Sequence, residues 1–118
     1  MMLDWNEYRR QLAGGVKAFG LLSPDSVKGY AALSSAGQKS DLLGAKVREL
    51  IALAVAVTAR CDGCITVHAE AAKRQGATTA EIAEALGVAV AVNAGAALVY
   101  STRVLDAVKE LPAGASHA

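Results

Sequence analysis

Residues 49–68 read ELIALAVAVTARCDGCITVH, and the folding of this stretch decides the rest of the chain. Glu49 to Ala59 is apolar almost throughout, a run that predicts a buried helix with Glu49 as the acid at its start. Two cysteines three apart follow, with a histidine four beyond the second. On a helix these offsets put Cys61, Cys64 and His68 on one face, because the repeat is about 3.6 residues per turn. A reversal near Arg60 then sets Glu49 and His68 at similar heights on two antiparallel helices, roughly 12–15 Å from the bend at about 1.5 Å per residue. A carboxylate, an imidazole and a dithiol are thereby expected to meet on a central helix hairpin.

The whole chain is 118 residues and 12.0 kDa, the size of a single domain over residues 1–118, with a tail from about residue 112. Hydrophobic residues make up 53% and mean hydropathy is +0.32, more apolar surface than one small core hides, so burial between subunits is expected. The apolar content is mainly Ala, Val and Leu with few aromatics, which suits an all-α fold. Net charge is +1 with no Lys/Arg block, so nucleic acid is not an expected partner. The opening MMLDWNEYRR places charges where a signal peptide needs its apolar run, and Leu50–Val57 and Leu86–Val92 are too short to span a bilayer. The expectation is therefore a cytoplasmic protein with no membrane partner. In that reducing setting a Cys-x-x-Cys pair is more often a redox or metal site than a structural staple.

In chain order, Asp4 caps a first helix to about Phe19, with Gly14-Gly15 as a possible break. Ser23 as cap, Pro24 at the first helical position and Asp25 in the first turn start a short second helix that ends around residues 34–37. The third helix runs from about Gly44 to Ala59, and the fourth from Cys61–Asp62 to Gln75, with Gly76 as its stop. Thr78 and Glu81 match a capping box for a fifth helix to about Val92, and Asn93-Ala94-Gly95 suggests a break before a last helix.

The dithiol sits where a helix begins, and there the dipole and free N–H groups favour thiolate. Two intervening residues let a disulfide open and close locally. Two inert buried cysteines are the bland alternative, made weak by the spacing and by the histidine on the same face. Zinc is the sharper competitor, with Glu49 as a fourth ligand. However, ligands confined to one helix face suit a tetrahedron poorly, so no metal is expected. Glu49 has Lys46 and Arg48 as rival partners to His68, but its apolar neighbours turn it inward. His68 is one turn from Cys64 and two from Cys61, so proximity to the base favours Cys64 as attacking sulfur, with Cys61 as resolving partner.

Glu49, Cys61, Cys64 and His68 form the pattern Glu-x11-Cys-x2-Cys-x3-His, which resembles the alkylhydroperoxidase D-like group of the carboxymuconolactone decarboxylase family. The resemblance runs from about Leu43 to Leu86 and more loosely beyond. It implies an all-helical domain assembled as a homotrimer or homohexamer. It also implies a thiol-dependent peroxidase without a bound cofactor, taking a hydroperoxide as substrate and electrons from a thiol reductant protein. Cys61 and Cys64 would be the redox pair, His68 the proton relay and Glu49 the carboxylate that tunes it. The peroxidase members of the group resembled place a histidine just before the second cysteine, where this chain has Gly63. That departure favours the alternative of a thiol–disulfide exchange protein; a metal-binding or purely structural oligomer is the remaining rival. The decarboxylases of the family lack the dithiol pattern, so lactone decarboxylation is not the activity expected.

Overall fold

The structure is a computed structural model and describes residues 2–114. Five helices follow one another: α1 (Trp5–Leu22), α2 (Pro24–Ser40), α3 (Ala45–Ala59), α4 (Asp62–Arg74) and α5 (Thr79–Lys109), with no strand among the described residues. The fold is all-α.

Each helix begins and ends for a local reason. Asp4 caps α1 by accepting from the Glu7 amide, and Thr78 caps α5 by accepting from the Glu81 amide while Glu81 reaches back to the Thr78 amide. Arg60 closes α3 in the left-handed conformation, its N–H directed to the carbonyls of Ala56 and Val57. Cys61 then opens α4 as its capping residue, and its own N–H returns to the Ala56 carbonyl. Gly76, at φ 87°, turns the chain after α4. The core joins α3, α4 and α5. Leu53, Ala72 and Ala77 are buried together, with Leu50, Ala69, Ile82 and Leu86 packed around them. Alanines at these contacts allow close helix approach.

Three expectations need correction. Gly14-Gly15 does not break α1, because glycine costs a helix about 1 kcal/mol but leaves its N–H and C=O in the ladder. The second helix does not stop at Gly37 but continues to Ser40, where Asp41 turns left-handed and takes the Arg48 guanidinium at 2.8 Å. Gly37 instead makes room for Arg48, whose Cδ lies 2.7 Å from where a Cβ would stand. Third, Asn93-Ala94-Gly95 is no break, and α5 is one helix of 31 residues. The Asn93 amide donates to the Ala89 carbonyl of its own helix and to the Thr58 hydroxyl at the end of α3, so it ties rather than breaks. In addition, Ser23 makes no side-chain cap to α2, its hydroxyl lying 2.7 Å from that of Ser26.

The unbroken α5 also revises the reading of apolar length. It is long and apolar enough to cross a membrane by length and composition, with a mean hydropathy of 1.9 over its most apolar window. Only Ala89 of α5 is buried, and Leu98, Val99, Val104 and Leu105 are largely exposed. The chain has a radius of gyration of 20.0 Å and a long axis of 58 Å. A compact domain of this length would have a radius of about 13–14 Å.

Lys46 on α3 reaches Glu81 at 2.8 Å, joining the capping box to the core. That hydrogen bond, with the Thr78 amide as second donor, holds the Glu81 carboxyl down at about 2. A depressed carboxylate pKa adds stability that is present above the unfolded carboxyl range and lost as pH falls toward about 2. Thr78→Ala is expected to lower unfolding stability by about 1 kcal/mol in urea titrations. The stability difference between wild type and Glu81→Gln should shrink as the pH drops from the neutral range through the acid one. A difference constant over that range would show that the Glu81 charge contributes nothing.

Candidate functional site

The site is assembled where α3 meets α4. Lys46, Arg48 and Glu49 share the first turns of α3, and each takes a different partner. Lys46 goes to Glu81 and Arg48 to Asp41, which leaves the Glu49 carboxylate for α4. There His68 Nδ1 lies 2.6 Å from Glu49 Oε2, and both side chains are about three-quarters buried, with exposures of 25% and 24%. A hydrogen bond so short between an imidazole and a carboxylate, shielded from bulk water, is a charge-assisted one. With Glu49 ionised, Nδ1 must carry the hydrogen and donate it. The neutral ring then keeps its lone pair on Nε2, which has no protein partner among the described residues. Glu49 thus selects the tautomer and the orientation of His68.

One turn before His68, Cys64 is joined to Cys61 as a disulfide with a Cα–Cα distance of 5.2 Å. Cys61 has extended backbone and caps α4, its sulfur accepting from the Cys64 amide at 3.1 Å. The same amide would favour negative charge on Cys61 once the bond is reduced. Both cysteines are half-buried, and Asp62 between them is exposed. Glu49, His68, Cys61 and Cys64 therefore lie along one seam of two helices. Among the described residues, no three His, Cys, Asp or Glu side chains converge as a metal cradle. A zinc site would also need the sulfurs unbonded and Glu49 released from His68.

Sequence reasoning missed the helix that backs this site. Leu12 of α1 packs against the first turn of α4, its Cδ2 standing 2.9 Å from where a Cβ on Gly63 would be. Further along, the buried Thr66 hydroxyl accepts from Arg9, which also pairs with Glu70. Gly63 is therefore a packing glycine: a histidine at that position would displace Leu12. Contacts spanning 57 residues leave no local signal. The unusual small residue between the cysteines was the only trace.

Comparison with known proteins places the chain in a family. The carboxymuconolactone decarboxylase family model matches residues 24–107, which takes in the whole Glu49–His68 seam but not α1. An uncharacterized protein of Haemophilus influenzae is 48% identical over 107 residues, covering 91% of this chain and 95% of that protein. One from Paracoccus denitrificans, described as uncharacterized protein 4 in cox locus, is 37% identical over 82 residues, 70% of this chain and 74% of its own length. A third, an uncharacterized protein of Cupriavidus necator, is 32% identical over 88 residues, 75% and 78% of the two chains. With its helical fold and a family match over most of its length, the chain belongs to the carboxymuconolactone decarboxylase family.

Proposed function

We propose that the protein is a thiol-dependent peroxidase that reduces hydroperoxides through the Cys61–Cys64 pair. The observation that carries this reading is the Glu49–His68 hydrogen bond, which leaves Nε2 available one turn from a disulfide. In the reduced enzyme Nε2 takes the proton of the Cys64 thiol. The thiolate attacks the outer oxygen of the hydroperoxide, the O–O bond breaks, and the alkoxide leaves as an alcohol after receiving that proton from His68. Cys64 is then a sulfenic acid. Cys61 condenses with it, water departs, and the disulfide stores the two electrons lost by the dithiol. A thiol reductant restores the pair by exchange, a cycle suited to a reducing cytoplasm.

The second reading, thiol–disulfide exchange without peroxide chemistry, draws on Gly63. Leu12 fills the space where a side chain at that position would otherwise lie, so the turn between the cysteines carries no further proton donor beyond the exposed Asp62. The two readings part at the sulfenic acid. In Cys61→Ser, dimedone is expected to label Cys64 after hydroperoxide treatment. Adding Glu49→Gln should slow that labelling by at least about tenfold, part of the roughly 10²–10⁴-fold that a general base contributes. Labelling of Cys61 in Cys64→Ser at the same rate would overturn the assignment of the sulfurs. A rate indifferent to Glu49→Gln would make the carboxylate structural.

The apolar surface of α5 and the extended shape support a second part of the proposal: the protein works as a homo-oligomer, a trimer or hexamer, whose subunits cover that surface. Subunit burial is preferred to a lipid setting because α3 and α4 also expose apolar side chains, including Ile51, Val55 and Val67. Sedimentation at micromolar concentration should give a multiple of the 12.0 kDa chain. A 12.0 kDa species would contradict it.

A further inference from the structure

The arginines of this chain are almost all engaged. Arg9 pairs with Glu70, Arg10 with Glu7, Arg48 with Asp41 and Arg74 with Glu70, and Arg103 lies over the Tyr100 ring. Arg60 is the exception: among the described residues its guanidinium has no hydrogen bond or ion pair, and it is exposed. It also stands at φ 55°, ψ 49°, the left-handed conformation that glycine would adopt without strain. The next residue is Cys61. A cation that is costly for the backbone and unused by the fold thus directly precedes, in the chain, the cysteine that caps α4.

We infer that Arg60 is a docking residue for the reductant, selecting a thiol that carries a carboxylate near its sulfur. This rests on the reading of Cys61–Cys64 as a working redox pair. The incoming thiolate attacks Cys61 Sγ, the Cys61–Cys64 bond breaks, and Cys64 leaves as thiolate, taking a proton through His68. A second reductant thiol then attacks the mixed disulfide, so two thiols are oxidised to one disulfide and the pair regains two electrons and two protons. The guanidinium meets the carboxylate of the approaching thiol as a two-pronged donor. Asp62, exposed on the other side of Cys61, acts in the opposite sense. Its charge repels the same carboxylate, so the two residues flanking Cys61 bias the approach of an anionic thiol in opposite directions. An exposed charge at the rim of a contact mainly alters the association rate, and salt weakens its effect.

The test uses the full-length oxidised protein at low ionic strength, with free-thiol release followed for anionic glutathione and for cationic cysteamine. Arg60→Gln is expected to slow reduction by glutathione roughly three- to tenfold while leaving cysteamine unchanged or faster. Asp62→Asn should shift the ratio of the two rates the other way. Arg60→Gly should show the same slowing with glutathione and a melting temperature no lower than wild type, since glycine is at ease in that conformation. If Arg60→Gln changes both thiols by one factor, or neither, Arg60 serves only the end of α3 and the inference is wrong. A wild-type disulfide that resists both thiols would sink the redox reading itself, and the inference with it, before any variant is made.

Discussion

The hydrogen bond between Glu49 and His68 is the constraint on which the site depends. It couples α3 to α4 at one height, selects the imidazole tautomer and leaves the far nitrogen without a protein partner among the described residues, one helical turn from Cys64. Its cost is the removal of a carboxylate from bulk water, which is tolerable only because the partner is a hydrogen-bond donor that can also carry charge. Removing either side chain would leave the other half-buried without its partner. The rest of the fold protects this pairing. Lys46 and Arg48, the nearest competitors for the Glu49 carboxylate, are drawn away by Glu81 and Asp41.

The disulfide depends on the same geometry from the other direction. Arg60 must turn left-handed so that Cys61 can return its amide to Ala56 and cap α4. That turn sets both sulfurs at the positive end of a helix, where a reduced cysteine is most easily ionised. Gly63 keeps the turn small enough for α1 to pack behind it through Leu12. The family match begins at residue 24, so α1 is a brace laid on the shared domain from outside the matched region.

Much of this was legible from residue spacing. Helical rise alone places Glu49 opposite His68, and the capping residues Asp4 and Thr78 mark the starts of their helices by residue type. What misled was local turn propensity. Asn93-Ala94-Gly95 looks like a break, yet the Asn93 amide is satisfied inside α5 and by Thr58 across to α3, a partner 35 residues away. Gly37 and Gly63 look like weak points in helices but serve as clearances for Arg48 and Leu12, and such close approaches leave no trace in local sequence. The docking of Arg9 on Thr66 was equally invisible, for the same reason of distance along the chain.

The family includes enzymes, and a shared fold does not fix the chemistry, so the proposed activity is argued from the dithiol and its base rather than from the fold. The most direct measurement counts free thiols in the fully reduced protein before and after one equivalent of an organic hydroperoxide. The account predicts that both thiols disappear together and that one equivalent of the corresponding alcohol forms, the peptide carrying Cys61 and Cys64 then being two hydrogens lighter. Unchanged thiols, with the hydroperoxide recovered intact, would contradict it.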